Sequence, residues 1–145
     1  MQTDAAGTDF IRNWESPDGP LLTIKPDDGG KLQIGWGHDL RPGEEVEFAD
    51  GITYDEAVLL NQGDIAESDA AVNSLGWDLN QNQHNALSDF TFECGSGALN
   101  QLAAHGQDQV PAQLPRWIYA HVNGVVTKLD GMVKRRAAEV ALYQS

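Results

Sequence analysis

Two acidic residues in unlike surroundings stand out. Glu15 closes the segment Phe10-Ile11-Arg12-Asn13-Trp14-Glu15, whose apolar residues recur at helical spacing. Asp27 lies in Pro26-Asp27-Asp28-Gly29-Gly30, a turn between two β-prone runs. A carboxyl ending an apolar helix meets desolvation and the negative end of the helix dipole, and both favour its protonated form. A carboxyl in a Gly-rich turn is solvated and stays ionised. One acid to protonate a leaving oxygen and one carboxylate across from it are what glycosidic hydrolysis requires. By position alone each also has a plainer reading: helix-end acids are mostly solvated, and a turn Asp mostly supports its turn.

Other chemistries find less support. Cys94 is the one cysteine, so no intrachain disulfide forms, and its plain reading is a small buried hydrophobe. His38 could serve as a base or a metal ligand, but no other His or Cys lies at ligand spacing, so neither metal nor cofactor is expected. With 22 acidic against 9 basic residues the formal charge is −13, and no Lys/Arg cluster is present to meet phosphates. Nucleic acid and an anionic membrane surface are therefore poor partners. No run approaches the ~18 apolar residues of a membrane span. The polar start, residues 1–9, lacks an apolar signal core. Synthesis in the cytoplasm without a signal peptide is the expectation, with release or secretion needed to reach any target outside.

The elements that must position these residues follow from pattern and punctuation. A short helix over residues 8–15 is stopped by Pro17, Gly19 and Pro20. Residues 21–24 and 31–36 read as a hairpin around the Asp27 turn. Residues 41–51 read as a loop with a short strand at Val46-Glu47-Phe48. Thr53 with Glu56 is a capping box that opens a long helix to about residue 75, in which Gly63 is a mild flaw. Asn80 or Gln81 opens another helix, stopped by Gly95 and Gly97. Shorter helices are predicted over 98–104 and 108–119, with Pro115 set to kink or split the second. Residues 123–129 read as a loop, and Asp130 as the cap of a last helix through Tyr143. The expected architecture is α+β and mainly helical: a single domain over 1–145, with an N-terminal hairpin lobe (8–52), a connecting helix (53–75) and an all-helical lobe (76–145).

These segments, in this order, resemble the phage-type lysozymes, glycoside hydrolase family 24. That family has a helix ending in Glu-Gly, a Tyr-x-Asp-x-x-Gly turn and Thr-Ile-Gly-Tyr-Gly-His. Phe10 to Glu15 matches the first, and Asp27-Asp28-Gly29-Gly30-Lys31-Leu32-Gln33-Ile34-Gly35-Trp36-Gly37-His38 the rest. Gln81-Asn82-Gln83-His84-Asn85-Ala86-Leu87-Ser88-Asp89-Phe90, Phe92-Glu93-Cys94-Gly95, Pro115-Arg116-Trp117 and Gly131 to Glu139 extend the likeness to about residue 143.

The resemblance implies a lysozyme-like fold with an active-site cleft between lobes. It implies a monomeric muramidase acting on peptidoglycan, between N-acetylmuramic acid and N-acetylglucosamine, by inversion. Glu15 would be the general acid, and Asp27 would stabilise positive charge and help hold the attacking water. Gly30 and Glu93 would face substrate, Glu93 having surface exposure as its plainer reading. His38 would pair structurally with Asp64. Trp117 would be core, and Arg135 and Arg136 would neutralise cleft acids or pack on the last helix.

Two departures bear on mechanism. The Glu-to-Asp segment is about three residues longer than the family's, leaving Asp28 and Asp18 as alternatives to Asp27. Gln33 stands where the family has the Thr that binds the nucleophilic water. Gln33 and the acidity also motivate a second expectation: a weakly active or inactive module that binds peptidoglycan or a protein. Phage lysis enzyme and secreted effector, the latter with delivery or immunity partners, both fit.

Overall fold

Helix α1 (Ala5–Glu15) begins earlier than the apolar spacing predicts. The Asp4 carboxylate accepts the Gly7 N–H at 2.9 Å, satisfying a donor that a helix start leaves open. That bond holds the Asp4 carboxyl below its usual range. The computed structural model describes all 145 residues, Met1–Ser145, with an α+β architecture. It divides into two compact units, one of Arg12–Asp64 and one of Met1–Ile11 with Ile65–Ser145. The division passes inside α1 and inside α3 (Tyr54–Asn73). The start of α3 carries the predicted capping box: Glu56 N–H donates to Thr53 Oγ1 at 3.1 Å, and Thr53 N–H to Glu56 Oε2 at 2.6 Å.

In the Arg12–Asp64 unit, β1 (Leu21–Pro26), β2 (Leu32–Gly35) and β3 (His38–Asp39) form an antiparallel sheet in chain order. Gln33 stands opposite Lys25 on one side and Asp39 on the other, and Ile34 opposite His38. Ile34 and Trp36 are buried. The Trp36 ring has the Arg12 guanidinium 4.2 Å from its centroid and the Tyr54 ring edge-on at 5.6 Å. A one-turn helix, α2 (Glu44–Glu47), replaces the strand expected at 46–48. Gly43, at φ 91°, redirects the chain, and Phe48 N–H reaches Glu44 O at 2.8 Å. Val46 is 83% exposed, so the alternation there marks no buried face.

In the other unit, α4 (Gln81–Ala103) starts with a complete Asn80/Gln83 capping box. It is interrupted at Gly95, whose φ of 86° and ψ of 165° are not helical. The helix predicted over 108–119 does not form as one piece. A 3₁₀ turn (Gln107–Gln109), α5 (Val110–Gln113) and a second 3₁₀ turn (Leu114–Arg116) take its place, because Pro111 and Pro115 each remove an N–H from the run. The lobe is not all-helical either. β4 (Tyr119–Val122) and β5 (Val125–Lys128) pair across the expected loop. Asn123 and Gly124 between them have φ of 51° and 78°, the left-handed pair that a two-residue hairpin turn needs. The last helix, α6 (Asp130–Tyr143), is capped by Leu129 without a side-chain bond, so Asp130 lies in its first turn rather than capping it. Val72, Leu87, Phe90, Leu99, Leu102, Val110 and Leu114 form this unit's core, and α6 lies against α4.

Candidate active site

Glu15 is the last residue of α1 and is half-buried. Ser16 N–H still reaches Arg12 O at 2.9 Å, and the chain then turns at Gly19, φ 112°. Gly37 approaches Glu15 from the β2–β3 connection. A Cβ built on Gly37 would lie 3.0 Å from Glu15 Cδ and closer still to Oε2. Gly37 also has φ 73°, so glycine is required there twice over: for backbone freedom and for room. Gly37 stands in the Gly35-Trp36-Gly37 motif, where spacing alone gives it no such role. Two glycines flanking a buried Trp were the signal for a close approach.

Asp27 is exposed and builds the β1–β2 turn. Its Oδ1 accepts the N–H groups of Gly29 and Lys31, each at 2.8 Å. Its own N–H donates to Lys31 O at 2.8 Å, and its carbonyl accepts from Gly30 N–H at 3.0 Å. Gly30, at φ 84°, closes the turn. Both turn-supporting amides thus fall on one carboxylate oxygen. Gln33, on β2, donates its amide through Nε2 to Asp39 Oδ1 at 3.0 Å, and Lys31 Nζ lies 2.5 Å from Asp39 Oδ2. Asp39 therefore fixes the Gln33 amide with its oxygen as the free acceptor.

His38 is buried, with both ring nitrogens engaged. Nδ1 meets Asp64 Oδ2 at 2.8 Å, and Nε2 meets Glu44 Oε2 at 2.8 Å. The hydrogen bond to Asp64 is the main reason its pKa is pushed up to about 9; burial opposes the rise, and the bond to Glu44 adds to it. Burial also works against the Glu44 carboxylate, but the Arg41 N–H at 2.8 Å and His38 hold its pKa below the usual range. An imidazolium with two carboxylate acceptors has no ring nitrogen left for a substrate proton or a metal. Its work is to tie β3, α2 and α3 together. Glu44 was missed because residues 41–51 read as loop, and nothing in the spacing marked its carboxylate.

The other unit holds a buried charged cluster between α4 and α6. Arg135 binds Asp89 in a fork, Nε to Oδ2 at 3.0 Å and a terminal nitrogen to Oδ1 at 2.7 Å. Arg136 pairs with Glu93 and with Glu139, the latter at 2.7 Å, and meets Cys94 Sγ at 3.1 Å. Glu139 is fully buried; desolvation, then its hydrogen bond to Asp89, raise its pKa well above the usual range, against the pull of Arg136 and Arg135. Burial pushes the Cys94 thiol up to about 11, which makes it a poor nucleophile. Trp117 is half-buried, edge-on to Phe90 at 5.5 Å.

The sequence profile of the phage lysozyme family matches residues 15–139 of the chain. An endolysin of Acyrthosiphon pisum secondary endosymbiont phage 1 is 32% identical over 123 residues, spanning 80% of this chain and 82% of that protein. Among solved structures, the endolysin from Escherichia coli O157:H7 phage FAHEc1 superposes with a TM-score of 0.81 at 25% identity, covering 99% of this chain and 93% of that one. The muramidase domain of SpmX from Asticaccaulis excentricus does so with a TM-score of 0.77 at 26% identity, covering 100% and 99%. On the extent of these matches, the chain belongs to the phage lysozyme family.

Proposed function

We propose that the protein is a muramidase that hydrolyses the β-1,4 bond between N-acetylmuramic acid and N-acetylglucosamine in peptidoglycan, and so lyses bacterial walls. The observation that carries this reading is the Glu15 carboxyl held at the end of α1 against the backbone of Gly37. A carboxyl fixed by a close backbone approach is oriented for proton donation to a glycosidic oxygen. Asp27 supplies the carboxylate: Oδ1 is committed to the turn, and Oδ2 remains to face developing positive charge. The Gln33 amide oxygen, fixed through Asp39, would orient the attacking water. A water entering opposite the leaving group gives inversion. Gly30 keeps the turn free of side-chain bulk, and Glu93 would border substrate while paired to Arg136.

The test is digestion of purified sacculi, with mass spectrometry of the fragments and an anomer-sensitive readout of the first product. Wild type is expected to release muropeptides with inverted configuration, and Glu15→Gln to release at least a hundredfold fewer. Equal rates in both would reject Glu15 as the acid. The tie between Gln33 and Asp39 favours a second reading, a wall-binding module. Sedimentation of wild type with sacculi without any release of reducing ends would support that reading instead.

A further inference from the structure

A polar pocket of about 510 Å³ opens between the start of α4, the 3₁₀ turn at Gln107–Gln109 and the end of α6, all within one unit. Four carboxamide side chains, Asn80, Gln83, Gln107 and Gln144, line it together with Asp108 and Tyr143. Its size lies within the range of small-ligand sites. The amides are held in place by the protein. Asn80 Oδ1 accepts Gln83 N–H at 2.8 Å, and Gln83 Oε1 accepts Asn80 N–H at 3.0 Å. Each side chain is thereby fixed with its NH₂ group as the uncommitted end. Gln107 is fixed the other way: its Nε2 donates to Asp78 O at 3.0 Å, which leaves Oε1 as an acceptor. Tyr143 is buried and donates its hydroxyl to Gln107 O at 3.3 Å, so it forms the floor.

Two preset amide donors beside a preset amide acceptor complement an acetamido group, whose carbonyl accepts and whose N–H donates. Asp108 adds an acceptor for a hydroxyl. An anion is disfavoured beside that carboxylate in a chain of formal charge −13. We propose that this pocket is a second carbohydrate site, which binds an N-acetylated amino sugar of the glycan strand apart from the residues assigned to hydrolysis. The proposal rests on the muramidase reading for the identity of the polymer. Its effect would be to keep a −13 protein on a wall polymer between cleavage events.

The experiment is a ¹H–¹⁵N NMR titration of the whole protein with the tetramer of N-acetylglucosamine, with cellotetraose, which lacks acetamido groups, as the comparison. The side-chain NH₂ signals of Asn80 and Gln83 report on the pocket directly. They are expected to shift saturably with the acetylated sugar and at least tenfold less with cellotetraose. Gln144→Trp, which fills the pocket at the exposed end of α6, is expected to abolish those shifts at unchanged Tm. Asp108→Leu provides a second block should the Trp variant be unstable. Silent pocket signals, equal responses to both sugars, or shifts that survive in both blocked variants would overturn the proposal. Release of reducing ends from sacculi is measured in parallel on wild type. Hydrolysis with a silent pocket defeats only this site; pocket binding without hydrolysis defeats only the muramidase reading.

Discussion

The His38 cluster should make this protein lose stability on the alkaline side of neutrality, and the size of the loss follows from its geometry. The His38 pKa is raised from 6.5 to about 9 in the folded state, first through the Asp64 hydrogen bond. An imidazolium better accommodated in the folded than in the unfolded chain stabilises the fold fully below pH 6.5. That contribution drains away as pH rises through 9. A rise of about 2.5 units at about 1.36 kcal/mol each corresponds to about 3 kcal/mol. His38 is only 4% exposed, so solvent does little to screen it. Urea unfolding at pH 6 and at pH 9.5 should therefore differ by about 3 kcal/mol, equivalent to about 6–12 °C in Tm for a chain of this size. In His38→Gln most of that slope should vanish, since neither Asp64 nor Glu44 then gains a titrating partner. A flat profile in wild type, or an equal slope in the variant, would refute the assignment of a buried imidazolium.

Four other outcomes are expected. Glu139→Gln should change stability at pH 7 by less than about 1 kcal/mol, because burial and Asp89 favour the neutral acid and an amide can donate to Asp89 in its place. Arg136→Met should cost about 1–3 kcal/mol in the same urea assay, by removing the nearer of the two guanidinium partners of Glu93 and of Glu139. Gly37→Ala should lower turbidity clearance of cell walls at least tenfold by displacing the Glu15 carboxyl, while backbone strain of about 1–2 kcal/mol lowers Tm by only a few degrees. Cys94 should react with an aromatic disulfide at pH 8 about a hundredfold more slowly in the folded protein than in urea, since its pKa rises from 9.0 to about 11 and little thiolate forms.

Much of the framework was legible because its signals are local. The Thr53/Glu56 box and the Asn80 start of α4 are satisfied hydrogen-bond by hydrogen-bond in the fold. The turn at Asp27 and the break at Gly95 follow from backbone freedom that glycine supplies. The second hairpin was missed although Asn123-Gly124 is a strong turn signal and Ile118, Ala120 and Val122 alternate with Tyr119 and His121, because that short run directly follows a stretch read as helix. Glu44 escaped for a different reason. Its value lies in a histidine six residues back that also meets Asp64 on a different helix, and no periodicity records such a meeting. Likewise the raised pKa of Glu139 depends on complete burial next to Asp89, which spacing along α6 alone does not reveal.

Asp27 builds the platform from which it would act, since one oxygen of its side chain gathers the Gly29 and Lys31 amides. Truncation to alanine would therefore collapse the loop and erase the charge at once, and an inactive alanine mutant would say nothing about which loss mattered. Asparagine separates the two: its carbonyl oxygen can inherit both amides while the charge disappears. A scan of this loop becomes interpretable only when each acid is replaced by its amide rather than by a methyl group.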